Sequence, residues 1–575
     1  VNGYFLCDRG RYGYEYVNHN KRIRHPAMRT TLDDAFQTQT KENASIESKK
    51  KIADQSLIGI GSPRASLESN YALKKLVGEE NFYAGFAVKE HELMDEVLDI
   101  AKNKKIRIPT LHETSEADAV LILGEDVTQT APMLALSLRQ TRMTSAKKMA
   151  EKVKILDWQD HAVRELYQEQ KAPIVSVTPC QTRLDDVCTE KFHASPDEIA
   201  QIGFQVAHQL NHSSPEVKDL PEKWNKTVSF LAETLKNARN PLIVTGTSTG
   251  NVNLLRAAAN IAQSIEIPDK NTDLFIALTE SNSMGLAMLG GKKLDELAEQ
   301  ENQQKHLFVL ENDIYRRIEK GEAENLLDGF AAVTVFDHLE TETAQKAHAL
   351  FPAGTFAETS GTFVNNEGRA QRFYKVYIPN EEILDAWRWL KEVQPEGSEA
   401  DMPWNNLDEC VEAFIADYPA LKDVKNIAPP TGFRVNGQKI PREPHRLSGR
   451  TAMHADVNVH EQKSPEDPDS PLSFSMEGTG KIPSPALHSY SWAPGWNSVQ
   501  SLNKYQIEVG GPMHQGGNGK RLLHPENNTE ATFYDDPPPK IKLNEDELHI
   551  VPGHHIFGSE ELSMFSSSIA ERAPT

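Results

Sequence analysis

Short apolar runs alternate with longer stretches of helical periodicity, and this pattern constrains the fold of the 575-residue chain most. The runs are rich in leucine and β-branched residues at consecutive positions, so both faces of each strand must be covered. Such strands, alternating with helices, are typical of parallel α/β sheets. The runs are 56–60, 119–123, 174–177, 242–244, 275–278, 307–310 and 332–336.

The stretches between these runs predict helices. Leu73, Leu76 and Val77, for example, have the i, i+3, i+4 spacing of one helical face. We therefore predict an α/β fold with two doubly wound (Rossmann-like) lobes over residues 50–385. After about residue 395, Pro, Gly, Asn and Asp become frequent and the periodicity fades, which predicts a loop-rich extension packed on the α/β body.

Composition excludes some classes of function. A formal charge of −21 argues against general nucleic-acid binding, which needs a basic face. No apolar run approaches the roughly 18–20 residues that span a bilayer, so we expect no transmembrane segment. The four cysteines are too few and too scattered for a disulfide framework, which favours a reducing, cytoplasmic compartment. The first residues form neither a start methionine nor a signal peptide, so we expect a fragment.

Three predicted strand-to-helix junctions are rich in small residues, where an anion could bind a helix N-terminus. The junction 59–64 has Arg64 in place of the third glycine of a dinucleotide fingerprint, although Ser66 is a good N-cap candidate. The junction 245–250 lacks the Gly-Lys-Ser/Thr of a phosphate loop, and the two carboxylates of 124–126 would repel phosphate. Chain reversal alone explains these glycines, so no NAD or ATP site is expected.

Other residues give little basis for catalysis. Nine of the 20 histidines lie between His445 and His555, but without the close ligand spacings of a zinc site. Surface or hydrogen-bonded histidines are the preferred interpretation. No G-x-S-x-G nucleophile elbow is present. We therefore predict no catalytic residue and no organic cofactor-binding residue.

Cys7 has neighbours that could favour metal binding. Arg9 and Arg11 follow it within a run of aromatic residues, and nearby positive charge stabilises a thiolate, the form that binds iron. The alternative is a lone structural cysteine, and spacing alone favours that alternative. A [4Fe–4S] cluster needs four ligands, and the other cysteines lie more than about 170 residues away.

Two stretches carry a family resemblance. Residues 7–11, Cys-Asp-Arg-Gly-Arg, resemble the last cysteine of the N-terminal [4Fe–4S] motif of the molybdopterin oxidoreductase superfamily. Residues 349–371 resemble its pattern of Leu-Pro, Phe-x-Glu and Gly-Thr-x-x-Asn-x-Glu-Gly-Arg-x-Gln. The superfamily includes formate dehydrogenases, nitrate reductases and one subunit of respiratory complex I. Residues 117–124 and 240–246 resemble the start of its inserted lobe and the return to the first lobe.

The choice within the superfamily depends on the absence of a cysteine ligand and on three further stretches of sequence. No cysteine lies between Cys7 and Cys180, which excludes a thiolate ligand for molybdenum in the first lobe and leaves serine or aspartate possible. Residues 59–83, 448–453 and 492–497 resemble the large iron–sulfur (G-type) subunits of bacterial NADH:quinone oxidoreductase, or complex I. Those subunits have a similar body without molybdopterin.

The resemblance implies a division of the chain and a metal ligand. Cys7 would be one ligand of a [4Fe–4S] cluster, with its other three ligands before Val1 and no molybdopterin bound. The expected segments are the end of the [4Fe–4S] domain (1–45), the first α/β lobe (46–115 and 236–390), the inserted second lobe (116–235) and the loop-rich extension (391–575).

The resemblance also implies a function. The complete subunit would carry electrons from NADH through flavin and iron–sulfur clusters toward quinone, within an NADH:quinone oxidoreductase translocase. Its partners would be the flavin-containing, NADH-binding subunit and the quinone-proximal subunits. It would lie peripherally on the cytoplasmic face of the bacterial inner membrane. This chain alone would be an inactive structural body.

Two alternatives remain at this point. A molybdopterin-dependent oxidoreductase of the formate dehydrogenase or nitrate reductase type would share the signature at 361–371. A purely structural body, retained for contacts with other subunits, would need no cofactor of its own.

Overall fold

The computed structural model describes residues 6–430, apart from 54, 157–158, 169–170, 269, 301, 377, 396–399 and 401. It also describes 519–524, 532–539, 546–548 and 550–574, and the backbone of 434–435 and 438–439. Most of the predicted extension 391–575 lies outside these residues. So do six of the nine clustered histidines and the stretches 448–453 and 492–497.

Two sheets dominate the described chain. Their strands, and those of two small antiparallel sheets, are β1 (Ala27–Met28), β2 (Gln37–Thr38), β3 (Ser56–Ile60), β4 (Phe82–Tyr83), β5 (Ile106–Arg107), β6 (Ala119–Leu123), β7 (Ile174–Thr178), β8 (Glu190–His193), β9 (Pro241–Gly246), β10 (Thr272–Ala277), β11 (Lys305–Leu310), β12 (Ala332–Asp337), β13 (Ala349–Pro352), β14 (Gly361–Val364), β15 (Arg369–Phe373), β16 (Arg434–Val435), β17 (Gln438–Lys439) and β18 (Lys520–Arg521).

The seven-stranded sheet has the order β2-β1-β13-β12-β11-β3-β4, and the six-stranded sheet has the order β5-β10-β9-β6-β7-β8. Every neighbouring pair is parallel except β1 with β2 and β1 with β13. The central strands β6, β9 and β10 are buried along their whole length, as the apolar runs within them require.

Helices cover the sheets. They are α1 (Asp8–Tyr12), α2 (Lys41–Ile52), α3 (Leu67–Val77), α4 (Val88–Lys102), α5 (Leu111–Thr114), α6 (Val127–Thr130), α7 (Pro132–Thr141), α8 (Thr144–Lys152), α9 (Asp160–Tyr167), α10 (Pro196–Leu210), α11 (Asn225–Lys236), α12 (Val252–Ser264), α13 (Ser283–Leu289), α14 (Leu294–Ala298), α15 (Lys320–Asp328), α16 (Glu342–Gln345), α17 (Ala386–Val393), α18 (Leu407–Asp417) and α19 (Ser567–Ala570). None of the helices in the described part of the chain is long and apolar enough to cross a bilayer.

The predicted fold class is confirmed: each apolar run is a strand, and Leu73, Leu76 and Val77 lie in α3. Ser66 is the N-cap of α3, and its Oγ accepts a hydrogen bond from Ser69 N at 3.1 Å. The sheet membership of three strands differs from the expectation. Strands β5, β9 and β10 belong to the six-stranded sheet and not to the sheet of the first lobe. Strands that are apolar on both faces carry no signal of which sheet they join. The division into five segments stays a prediction.

The signature at 361–371 forms the hairpin β14–β15, which holds the start of α3. Thr362 donates from its backbone N and from Oγ1 to the Glu68 carboxylate, at 2.8 and 2.5 Å. A Cβ on Gly361 would lie 2.6 Å from Ser66 Cβ, so only glycine allows this close approach. Asn282 connects the β3–α3 loop to the hairpin. Its Nδ2 donates to Ala65 O in the loop, and its Oδ1 accepts from Val364 N at the end of β14. The signature therefore positions the β3–α3 loop.

We predict that Glu68→Ala lowers the free energy of unfolding by about 3 kcal/mol, because it leaves the Thr362 donors buried without an acceptor. Glu68 is 2% exposed. Urea unfolding followed by circular dichroism measures the change. Glu47→Ala, at an exposed position of α2, is the matched control. Equal effects of the two variants would contradict the role given to Glu68.

Candidate functional site

A candidate site lies where the strand order of the seven-stranded sheet reverses. Strand β4 lies beside β3 on one side, and β11, β12 and β13 lie in that order on the other side of β3. In such sheets the crevice between the two central strands opens at their carboxyl ends, and ligands bind there. The loops after β3 and β11 are tied together, since Ser62 Oγ donates to Glu311 O at 2.6 Å and Asn312 Nδ2 donates to Gly61 O at 2.8 Å.

A cavity of about 360 Å³ opens at this carboxyl edge. Its wall brings together residues that the sequence singled out separately, namely Cys7 and Arg9 from the N-terminal motif and Arg64 from the first glycine junction. Three further polar residues of the wall were not predicted as site residues: Glu280, Glu311 and His338.

Arg64 is the central cation of the cavity, and its side chain is 8% exposed. Its Nη2 donates to both oxygens of Asp337, at 3.0 and 3.2 Å, and to Glu561 Oε1 at 3.2 Å. Burial lowers the pKa of Arg64, but these two carboxylates raise it further, so the net shift is upward. Arg64 is therefore a permanent cation that already has two anionic partners.

Arg317 forms a second buried ion-pair group beside the cavity. Its Nη2 lies 2.9 Å from Glu280 Oε1, and its Nη1 lies 3.5 Å from Glu90 Oε2. Burial raises the pKa of Glu90 to about 7, and the neighbouring Glu280 raises it in the same direction. One guanidinium thus faces two carboxyl groups, and burial favours the protonated, uncharged form of Glu90.

The histidine of the wall is also paired with a carboxylate. His338 Nε2 lies 3.4 Å from Glu311 Oε2, and Nδ1 lies 3.1 Å from Ala353 O. Carboxyl groups therefore contact Arg64, Arg317 and His338 alike. Their negative charge makes the edge a poor environment for a polyanion.

These residues do not fit a molybdenum–pterin dinucleotide. Such a cofactor carries phosphates that need free cations or backbone N–H groups. Here Nη2 of Arg64 already donates to Asp337 and Glu561, and Arg317 is paired with Glu280, so their charges are compensated by carboxylates, although not every Arg64 donor is used. The cavity, about 360 Å³, lies at the lower end of the range of roughly 300–1,000 Å³ that holds one drug-sized ligand.

Cys7 lines this cavity, lies directly before α1 and is half-buried. Arg11 N donates to its carbonyl oxygen at 3.0 Å, which starts the helical turn. Gly10 is close enough that a Cβ there would lie 3.9 Å from Cys7 Sγ. No group of three or more metal-ligating side chains suitable for a metal ion occurs among the residues described. Cys7 as an iron ligand therefore stays a prediction.

The other cysteines have different surroundings. Cys180 is exposed, Cys188 is half-buried and Cys410 is buried. Burial raises the pKa of Cys188 to about 12 and that of Cys410 well above its ordinary value, so both remain thiols. Of the described histidines near the C-terminus, His554 is held neutral, since burial and the nearby Arg9 lower its pKa to about 4.

The six-stranded sheet has its own point of strand reversal, between β6 and β9. Glu125 follows β6 at this point and is 1% exposed. A Cβ on Gly246, at the end of β9, would lie 2.2 Å from Glu125 Oε2, so the carboxyl group occupies the space above that glycine. Burial raises the pKa of Glu125 to about 7, against the opposing effect of Thr130 and Ser248. The expected repulsion of phosphate at 124–126 stays a prediction.

Sequence reasoning missed Glu561, Glu280 and Arg317. Glu561 comes from a segment 497 residues after Arg64, and a single glutamate in a loop carries no signal of such a contact. Asp337 had a detectable signal, because a carboxylate directly after an apolar run stands at the carboxyl edge of its sheet.

We predict that Glu125→Gln stabilises the chain at pH 8 more than at pH 5. Because the folded-state pKa is raised from 4.5 to about 7, the wild-type chain loses stability as pH rises through this window. The gain from the substitution should grow by about 2 kcal/mol between the two pH values. Melting temperatures of variant and parent measure it, with the exposed Glu151→Gln as the control. A gain independent of pH would contradict the prediction.

Comparisons with known proteins assign the family. The sequence profile described as molybdopterin oxidoreductase matches residues 22–395. A Pseudomonas fluorescens protein described as the G subunit of NADH-quinone oxidoreductase is 40% identical over 588 residues, covering 100% of this chain and 64% of the relative. Proteins of the same description from Escherichia coli K12 and Salmonella typhimurium LT2 are also 40% identical, with the same coverage. The chain thus spans 64% of the length of these curated relatives.

Among solved structures, the acetylene hydratase from Pelobacter acetylenicus matches with a TM-score of 0.49 and 12% identity. The match covers 71% of this chain and 66% of that one, and it is too weak to support a functional conclusion. The profile match covers more than half of the sequence. The chain therefore belongs to the molybdopterin oxidoreductase family.

Proposed function

We propose that this chain is part of the large iron–sulfur (G-type) subunit of a bacterial NADH:quinone oxidoreductase, the respiratory complex I. The observation that carries this proposal is the 40% identity, over the whole of this chain, to relatives described as that subunit. The complete enzyme would transfer electrons from NADH through flavin and iron–sulfur clusters to quinone. This part of the subunit would be mainly its structural body and would be inactive alone.

Cys7 would hold one iron of a [4Fe–4S] cluster in that subunit. The cluster needs four thiolate ligands, so three further cysteines would have to come from sequence outside this chain. A cluster supplies one-electron transfer, and the protein adjusts its potential through burial and nearby hydrogen bonds. Here Cys7 is half-buried, and the first turn of α1 fixes its backbone.

We expect Cys7→Ala in the assembled complex to remove one [4Fe–4S] electron paramagnetic resonance signal and to lower the iron content by that of one cluster. The reason is that alanine offers no ligand for the fourth iron. Cys180→Ala, at an exposed cysteine, is the matched control and should change neither measurement. Unchanged iron and an unchanged spectrum in the Cys7 variant would refute the assignment of Cys7.

The alternative function is that of a molybdopterin-dependent oxidoreductase, which the family membership alone would allow. Against it stands the pairing of Arg64 with Asp337 and Glu561, which already engages the central cation at the first strand reversal. Glu125 occupies the second strand reversal.

Metal analysis of the complete protein, purified from cells supplied with molybdate and tungstate, separates the two functions. We expect no stoichiometric molybdenum or tungsten and no pterin released on denaturation. A full equivalent of either metal together with pterin would favour the alternative and would contradict the proposed function.

The partners would be the flavin-containing, NADH-binding subunit and the quinone-proximal subunits of the peripheral arm. This arm would lie on the cytoplasmic face of the bacterial inner membrane. The purely structural alternative, a body retained for subunit contacts, would be supported if this chain captured those subunits in a pull-down.

A further inference from the structure

Residues 550–574, here called the C-terminal segment, cross the carboxyl edges of both sheets. At the six-stranded sheet, Pro552 Cγ lies 3.9 Å from the position of a Cβ on Gly250, in the loop after β9. Ile556 N donates to Gln129 Oε1, in α6 after β6, at 3.0 Å. The segment therefore begins over the strand reversal of the second sheet.

The segment then reaches the strand reversal of the first sheet. Arg316 Nη2 donates to Ser559 O at 2.9 Å, and the Glu561 carboxylate accepts from Arg64 at 3.2 Å. Glu560 shapes the turn that presents Glu561, since its two oxygens accept from Leu562 N and Ser563 N at 3.0 and 2.7 Å. The side chain of Glu561 is 7% exposed, so this contact is buried, and its neighbours Glu560 and Leu562 line the cavity.

The end of the segment is fixed to the N-terminal part of the chain. Glu15 N donates to Ser566 Oγ at 3.0 Å, and Ser567 N donates to Glu15 Oε2 at 2.8 Å. Leu562 packs in a small apolar cluster with Tyr16, Val17 and Leu339. Attachments on both sides of Glu561 thus hold it against Arg64.

We propose that the C-terminal segment is a built-in occupant of the ligand crevice, in which the Glu561 carboxylate takes the place of an external anion on Arg64. The segment would thereby keep phosphate-bearing molecules out of a fold whose strand reversals otherwise favour them. This proposal goes beyond the proposed function and does not depend on it.

Arg64 has more hydrogen-bond donors than its ion pairs use, which is expected of a residue that binds an anion. Asp337, at the end of β12, already supplies one carboxylate from the sheet itself. Nε and Nη1 of Arg64 are buried and have no hydrogen-bond partner among the residues that the structure describes. Arg64, which lines the cavity, therefore has donors beyond the one that Asp337 and Glu561 share.

Replacing Glu561 should free Arg64 to bind an external anion. In Glu561→Ala, we expect the backbone amides of the C-terminal segment to exchange hydrogen about tenfold faster than in the parent at pH 8, since Arg64 no longer holds the segment. Burial raises the pKa of Glu561 to about 7, so the parent carboxylate is charged at pH 8. Glu571→Ala, exposed in the same segment, should leave the exchange unchanged.

The same variants are tested for anion binding by equilibrium dialysis with inorganic pyrophosphate, the charged core of a dinucleotide. We expect Glu561→Ala to bind it about tenfold more tightly than the parent and the Glu571 control. Adding Arg64→Gln to the variant should remove this gain. Glu561→Gln keeps the side-chain volume and should also bind pyrophosphate more tightly. It therefore tests the proposal even if the alanine variant misfolds.

Equal pyrophosphate affinity in the parent and in both Glu561 variants would overturn the proposal, even if the segment exchanges faster. An affinity gain that survives Arg64→Gln would also overturn it, because the anion would then bind elsewhere. Unchanged exchange in the Glu561 variants would show that the segment does not depend on this contact and would equally contradict it.

Discussion

The positive charge of a buried guanidinium needs a negatively charged partner. At the carboxyl edge of the seven-stranded sheet, this requirement connects distant parts of the chain. An unpaired ion in the protein interior costs several kcal/mol. Arg64 follows β3, Asp337 ends β12, and Glu561 arrives from the C-terminal segment. Their ion pairs join the two sides of the strand reversal and the C-terminus. Folding of all three parts together therefore stabilises the charge on Arg64.

The position of Arg64 depends in turn on the family signature. The hairpin β14–β15 supplies the Thr362 donors that fix Glu68 in the first turn of α3, and Asn282 links the same hairpin to the loop before that helix. In this chain the signature thus performs a structural task, because Thr362 and Val364 form hydrogen bonds with Glu68 and Asn282 outside it. This explains how the signature can be present although the residues around the cavity do not fit a pterin cofactor.

The sequence was sufficient for local structure and insufficient for distant contacts. Unbroken apolar runs predicted the central strands, and the spacing of Leu73, Leu76 and Val77 predicted α3, because these patterns reflect burial of neighbouring residues. The sheet to which β9 and β10 belong was not predictable, since burial on both faces is the same in either sheet. Glu561 was not predictable either, because ion pairing across 497 residues leaves no periodicity. Cys7 was noticed only through its neighbours.

The placement of carboxyl groups suggests how a fold can lose ligand binding without losing stability. A strand reversal exposes backbone donors that favour anions, so an empty crevice would leave polar groups in need of partners. Glu125 fills the space above Gly246 in one sheet, and Glu561 engages Arg64 in the other. An internal carboxylate meets the same electrostatic demand as a bound phosphate but remains part of the chain. Such carboxyl groups suit a chain whose proposed role is that of a structural body.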